Sequence, residues 1–436
     1  MITENKILWL IKEHKLGKKI GITSVCSANV YVLKAAIRNA QKKNQYLLIE
    51  STSNQVDQFG GYTGITPAVF RDIVFKLSKE LKFPKEKIIL GGDHLGPNRW
   101  QYEDSSSAMA KAKDQIAAYV RAGYQKLHLD TSMKCSDDGN KEQPLDASII
   151  AERAAILCKV AEDASIGRAK TDLPVYIIGT DVPPPGGAKD EHYLHITTKE
   201  DVERTIELTK NAFEKYNLHD AWERVAAVVV QPGVEFGDES VFNYDRYKAK
   251  ELSKLINRFD NLIYEAHSTD YQKKISLKHM VEDHFAILKV GPWLTYAMRE
   301  AIFALALIEK ELLSNRKDIQ LSNLIDIVDQ QMLNDQKYWV KYYIGSEDEI
   351  KIKRKYSYSD RIRYYWNYKI VNAALMKLII NLRDNKIPIS LISQFMPQEY
   401  EAIVNGNITL DPQELINNKI THILEIYNYA TNGGFR

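Results

Sequence analysis

The most regular feature of this chain is a series of short apolar runs rich in β-branched residues, each followed by a longer stretch at helical spacing. The runs are IGITSVC (20–26), YLLIEST (46–52), IILGGDH (88–94), KLHLDTS (126–132), VYIIGTDV (175–182), AAVVVQPG (226–233), LIYEAHST (262–269) and FAILKVGP (285–292). Residues apolar at consecutive positions predict strands buried on both faces, as in parallel sheets. Between them, PAVFRDIVFKLSKEL (67–81), SSAMAKAKDQIAAYVRAG (106–123), DASIIAERAAILCKVAEDA (146–164) and KEDVERTIELTKNAFEKY (199–216) predict helices. Strand and helix in alternation make βα units and a parallel sheet. Eight such units match the size of a closed (β/α)8 barrel, about 250 residues. An open doubly wound sheet is the alternative, but no GxGxxG opens the first unit.

The stretch MITENKILWLIKEHKLGKK intersperses charges among its apolar positions and predicts a short amphipathic helix rather than a signal peptide. LTYAMREAIFALALIEKELL (294–313) predicts a long apolar helix that completes the barrel wall. Beyond Ser314 the character changes. Residues 320–345 and 360–436 are helical in pattern, rich in Tyr and Asn, and carry no buried-strand runs. The expected fold class is therefore α/β: a barrel over residues 1–313 and a mainly helical C-terminal extension over 314–436. The length of 436 residues, more than one hydrophobic core ordinarily fills, agrees with that division.

Charge and composition remove several classes of partner. Lys and Arg number 59 against 57 Asp and Glu, so bulk charge suggests no nucleic acid. No apolar run approaches the ~18 residues of a spanning helix, so no membrane is expected. The cysteines Cys26, Cys135 and Cys158 form neither a CxxC pair nor a disulfide framework, which fits a reducing cytoplasm.

In (β/α)8 barrels the chemistry gathers where the carboxyl ends of the strands converge. Here nearly every run ends in polar side chains. The second ends in Glu50, followed by the loop SNQVDQFGGYTG with Asn54, Gln55, Gly60 and Gly61. The third ends in Asp93 and His94, the fourth in His128 and Asp130, and the fifth in Asp181. The sixth ends in Gln231, the seventh in Glu265 and His267, and the eighth in Lys289. Residues two apart share a strand face, so His128 goes with Asp130 and Glu265 with His267. Asp93 and His94 are adjacent and meet only if the strand breaks there, as the neighbouring glycines allow.

Buried charges need partners, a metal or a ligand. His94, His128 and His267 with these carboxylates are the donor set of a divalent-metal site, and imidazole suits zinc best. The other reading is that each histidine caps its strand through backbone hydrogen bonds. If the metal reading holds, Asp93, Glu265, Asp181 and Lys289 are the catalytic candidates. Glu50, Asn54, Gln55, Gly60, Gly61, Asp130, Gln231 and Arg361 are then the substrate-binding ones. Lys289 is either a Schiff-base nucleophile or, more commonly for such a lysine, a neutraliser of carboxylates or a phosphate ligand. QFGGYTG (58–64) and PPPGGAK (183–189) offer backbone N–H groups to a phosphate, or are simply tight turns. KIKRKYSYSDRIRYYW (351–366) is basic and aromatic, suited to a partner interface or, through Arg361 and Arg363, to phosphate contacts. No Walker loop is present, so no nucleotide is expected.

Several long stretches are also recognisable as wording. SVCSANVYVLKAAI, IESTSNQVDQFGGYTGITPAVFR, ILGGDHLGPNRW, YVRAGYQKLHLDTSM, YEAHSTDYQ, DHFAILKVGPWLTYAMREAIFALA and YSYSDRIRYYW resemble the Z-subunit family of class II tagatose-bisphosphate aldolase. The resemblance runs from about residue 7 to the C-terminus and implies a TIM barrel. It also implies a non-catalytic subunit that supports the stability and activity of a separate Y subunit. That partner cleaves tagatose 1,6-bisphosphate, a sugar phosphate, in galactitol or N-acetylgalactosamine catabolism. Self-association is left open. An older label for the family, tagatose-6-phosphate kinase, finds no support in these motifs. The alternative is that the chain is itself a metal-dependent aldolase or a retro-aldol C4 epimerase. One departure stands out: the family pattern at the fifth run is expected to read GTEVPVPGG, whereas this chain reads GTDVPPPGG. Asp181 is thus one methylene shorter than the expected residue.

Overall fold

In the computed structural model the described residues are 5–140, 143–180, 182 and 195–432. The strands are β1 Ile22–Cys26, β2 Leu47–Thr52, β3 Ile88–Leu95, β4 Lys126–Leu129, β5 Val175–Ile178, β6 Val225–Val229, β7 Glu235–Phe236, β8 Val241–Phe242, β9 Ile263–Ala266 and β10 Phe285–Val290. All but β7 and β8 form one closed parallel barrel, in which β1 meets β10 with Ser24 opposite Lys289. β7 and β8 make a small antiparallel hairpin that no apolar run foretold. Each of the eight expected runs is a barrel strand.

The expected helices form at Pro67–Glu80, Ser105–Arg121, Ala147–Ala164, Lys199–Lys215 and Pro292–Leu313. Their starts follow from local chemistry. Asp104, Asp146 and Thr198 each accept a backbone N–H of the first turn, from Ser107, Ser148 and Asp201 respectively.

The period of two along each strand builds the barrel interior in layers. At the amino end, Ile22, Leu48, Ile89, Ile263 and Ile287 pack with Ile7, Leu10 and Ile11 of the helix Lys6–Glu13, which plugs that mouth. The Asn5 carboxamide caps this helix through the Ile7 N–H and donates to the Leu173 carbonyl at 3.0 Å. Two residues further along their strands, the same inward columns turn polar at Ser24, Glu50, Glu265 and Lys289, all buried.

The C-terminal part returns to the barrel. The helix Pro412–Ala430 packs against Val30–Lys43, Lys274–Glu282 and Pro292–Leu313, placing it between the first and last βα units. Tyr427 donates its hydroxyl to the Thr269 carbonyl at 2.7 Å, and Gln45 donates to the Asn428 side-chain oxygen at 3.0 Å. Among the described residues no helix is long and apolar enough to cross a membrane.

One polar contact beneath the barrel ties fold to pH. His14 Nε2 and His284 Nδ1 lie 2.9 Å apart, and His14 Nδ1 donates to the Ile20 carbonyl at 2.7 Å. Burial lowers both imidazoles, His284 to about 4 with help from neighbouring His14 and Lys15. The folded pair therefore binds fewer protons than the unfolded chain. Its stabilisation is complete above the ordinary imidazole value of about 6.5 and is lost as pH falls from there toward the folded values. Thermal midpoints measured from pH 8 to pH 4 are expected to drop across that window. His284→Asn, which tolerates the positive φ of 75° at this position, should make the drop shallower.

Candidate metal and ligand site

The site begins at the end of β3, where the glycines make room. A Cβ on Gly91 would lie 2.6 Å from Glu50 Cγ, so only glycine lets the Glu50 side chain occupy the lumen. A Cβ on Gly96 would run into the Asp130 carbonyl oxygen. Between these two close approaches the strand breaks its alternation. His94 has a left-handed φ of 49°, and the β3–β4 pairing shifts register between Gly92 and Leu95. This bulge re-aims His94 so that it and Asp93 both reach the rim.

Three imidazoles meet there. The ring centroids of His94, His128 and His267 stand 5.0 Å (94–128), 4.9 Å (94–267) and 5.0 Å (128–267) apart, a nearly equilateral triangle of buried groups. Each ring is oriented. His94 Nδ1 donates to Asp130 Oδ2 at 2.7 Å, and His267 Nε2 donates to Glu265 Oε1 at 3.0 Å. His128 Nδ1 accepts the His94 backbone N–H at 3.2 Å, while its Nε2 is buried and has no hydrogen-bond partner among the described residues. Carboxylates behind two rings, with the far nitrogens left over, are the usual support of a metal ligand set. Asp93, His94, His128 and His267 each offer a ligand atom, all within 4.8 Å of one another, and could hold a metal ion.

Beneath the triangle lies a ladder of charge. Lys126, fully buried, reaches Glu50 Oε1 and Glu265 Oε2, each at 2.7 Å. Lys289 contacts Asp93 Oδ1, Glu50 Oε2 at 3.2 Å and Glu265 Oε1 at 3.4 Å. Burial disfavours both ammoniums, but the surrounding carboxylates outweigh it and raise both lysines above their ordinary value. Burial likewise works against Asp93, and His94 and Lys289 overcome it, holding that carboxyl well below its ordinary value. His267 is lowered to about 3 by burial and by Lys289. The cluster contains the carboxylates Glu50, Asp93, Asp130 and Glu265 against the ammoniums Lys126 and Lys289. Burial works against a charged His94, but Asp93 and Asp130 outweigh it and raise that imidazole above its ordinary value. With His94 protonated the cluster is one charge negative. With all three imidazoles neutral, as metal ligands must be, it is two charges negative, the deficit one divalent cation would cancel. The donor set and the charge balance both fit such an ion.

Above the cluster is a cavity lined by Asp93, His94, His267 and Lys289 from the barrel, by Asn54 and Gln55 from the loop after β2, and by Asp270. The C-terminal part closes it with Arg363, Tyr364 and Asn367. Arg363 donates to the Asp360 carbonyl at 3.1 Å and to the Tyr364 hydroxyl at 3.0 Å, and no ion pair within 4.0 Å is found for it among the described residues. Tyr364 in turn packs edge-on against Tyr62 at 4.6 Å and stacks on Tyr338 at 4.7 Å.

Several expected residues lie elsewhere. Gly60 and Gly61 spend their N–H groups inside the loop, on the Asp57 carbonyl (3.0 Å) and Asp57 Oδ1 (2.9 Å), and do not line the cavity. Gln231 folds its side chain back to accept the Gly233 and Val234 N–H groups, at 2.9 and 3.0 Å. Arg361 lays its guanidinium on the Tyr342 ring, 3.1 Å from the centroid, and donates to the Tyr338 carbonyl; Arg363 is the arginine at the cavity. Glu50 and Asp130 are buried behind the rim, holding Lys126, Lys289 and His94. Lys289 is an ammonium bound by three carboxylates, the form opposite to a Schiff-base nucleophile. Asp181 falls outside the described residues. The reading missed Lys126, which alternation from His128 would have found; of the two arginines it offered to a phosphate, Arg361 and Arg363, only the tertiary fold places one at the cavity.

A parallel barrel with an imidazole–carboxylate cluster at its carboxyl rim defines a TIM-barrel protein with a candidate metal centre. Within that class, the chain belongs to the D-tagatose-1,6-bisphosphate aldolase subunit GatZ/KbaZ-like family, whose model matches residues 7–432. It is similar to a protein described as a probable tagatose 6 phosphate kinase from Sinorhizobium meliloti 1021, at 42% identity. That match covers 94% of this chain and 100% of that one, with a TM-score of 0.86. Fructose-bisphosphate aldolase from Campylobacter jejuni aligns at 14% identity over 86% of this chain and 92% of that one, TM-score 0.44. The YdjI aldolase from Escherichia coli K12 aligns at 10% over 88% and 99%, TM-score 0.41. Both are too distant to bear on the site.

Lys126→Met removes one partner from two buried carboxylates and is expected to cost about 3–5 kcal/mol in urea unfolding. Combining it with Glu50→Gln should cost less than the sum of the single changes, because the second removes a charge the first left unpaired.

Proposed function

We propose that this chain is the supporting subunit of a class II tagatose-1,6-bisphosphate aldolase, keeping a separate catalytic Y-type subunit stable and active in tagatose 6-phosphate degradation. The observation that carries this reading is the family match over residues 7–432. The family is described as an aldolase subunit, and a subunit implies a partner. Family membership favours this role over the chain acting alone as a ketose phosphate aldolase or C4 epimerase. The test is to mix the purified chain with a Y-type subunit. The partner's half-life and its rate of tagatose 1,6-bisphosphate cleavage should both rise, while the chain alone cleaves nothing. Unaided turnover, or no effect on the partner, would reverse the reading.

The rim cavity is part of the same proposal. It is read as a site for a sugar phosphate beside a zinc ion held by His94, His128 and His267 with Asp93. Bound there, zinc would supply a Lewis acid toward a ketose carbonyl. Asp93 is assigned to that ion rather than to proton transfer, since its carboxyl is held well below its ordinary value. Glu265, pinned by Lys126 and His267, orients rather than transfers. Arg363 is assigned to the phosphate, since a guanidinium without a carboxylate partner at a cavity wall suits an anion. Residues 314–436 are thus proposed to complete the site that residues 1–313 begin. Arg363→Gln is expected to weaken binding of a phosphorylated ketose about 10- to 100-fold by calorimetry and to leave its unphosphorylated form unaffected.

A further inference from the structure

Lys289 sits where a metal's charge would be felt most. Asp93 Oδ1, which it contacts, lies 3.2 Å from His128 Nδ1 and 3.8 Å from His94 Nε2. That oxygen therefore lies beside two of the three imidazoles of the candidate ligand set, and in this structure an ammonium neutralises it. Two other acceptors wait beside the same ammonium, Glu50 Oε2 at 3.2 Å and Glu265 Oε1 at 3.4 Å. Each is held in place because its second oxygen is bound by Lys126 at 2.7 Å. A lysine on a flexible four-carbon stem can leave one carboxylate of such a trio and keep the other two.

We propose that Lys289 sets the metal affinity of this site: its ammonium stands in for the cation on Asp93 when no metal is present and withdraws onto Glu50 and Glu265 when one binds. The inference rests on reading Asp93, His94, His128 and His267 as a divalent-metal site, and goes beyond it by assigning the residue that opposes loading. A positive charge a few ångströms from a divalent ion in a buried pocket repels it strongly. The same charge offsets carboxylate repulsion in the metal-free barrel. Lys289 is accordingly a positioning residue that gives up cation affinity for tolerance of the empty state.

The experiment uses the full chain, stripped of metal by chelator dialysis and titrated with zinc against a chromophoric competitor, with cobalt(II) absorption reporting ligand geometry. Wild type, Lys289→Met, Lys289→Gln and Lys289→Arg are compared, and His267→Ala, lacking a ligand, sets the floor. Zinc affinity is expected to rise about tenfold or more in Lys289→Met and Lys289→Gln and to stay within about threefold in Lys289→Arg. Urea unfolding should show the neutral variants less stable than wild type with chelator present and recovering most of that loss with zinc. A neutral variant that folds only with metal supports the proposal. Equal or weaker zinc affinity in the neutral variants overturns it, as does failure of both to fold even with zinc. If wild type itself binds neither zinc nor cobalt, the metal reading fails first and this inference falls with it.

Discussion

Two ammonium groups sealed inside a ring of strands govern the rest of this structure. Taking a carboxylate out of water is costly, and a barrel lumen offers no water to soften the cost. Glu50 and Glu265 are tolerated there because Lys126 and Lys289 each bridge both of them. Once that ladder exists, the layers above and below it are constrained. The isoleucine and leucine layer with the plugging helix Lys6–Glu13 must exclude solvent from one side. The residues at the other side must complete the charge balance. The imidazole triangle is therefore the upper end of an electrostatic column that starts at the first residue of β4.

This arrangement bears on what a supporting subunit is. A barrel serving only as a scaffold could fill its lumen with aliphatic side chains, as the lower layer here does. Replacing buried ion pairs by apolar residues of similar volume is often neutral or stabilising. The chain instead keeps a column of ionised groups that ends in oriented imidazoles beneath a cavity. Its polar interior is better explained by a ligand than by rigidity. Family membership makes the chain an aldolase subunit, and the column is the reason to propose that it carries a binding site of its own.

How much of this was legible beforehand depended on the kind of signal. Strands buried on both faces write themselves as continuous apolar runs, so all eight barrel strands stood out, and with them the side chains at their ends. His128, Glu265 and His267 followed from alternation, and Lys289 from its place at the end of the last run. Adjacent Asp93 and His94 did not, because a bulge obeys no period; the glycines around them were the visible trace of it. Lys126 escaped notice at the opening of a run, where charge ordinarily reads as a flank in solvent. Gly60 and Gly61 looked like a phosphate cradle because glycine marks a turn without saying where its N–H groups go; here Asp57 takes them. That Arg361 and Arg363 could not be told apart has the same origin. Two basic residues two apart in a short helical turn differ only in what the fold lays against them, a tyrosine ring in one case and a cavity in the other.

The packing of Pro412–Ala430 between the first and last βα units has a consequence in time. A ribosome delivers the chain from its amino end, so all the barrel strands can pair long before the helix that packs over the β1–β10 seam exists. Arg363 and Tyr364 reach the cavity late, and Tyr427 reaches Thr269 later still. Until then the rim cavity lacks the wall that Arg363, Tyr364 and Asn367 give it, and Asp93, His94 and His267 face open solvent on that side. Closure over the rim thus comes only after β10 has delivered Lys289 and every counter-charge in the column has been made.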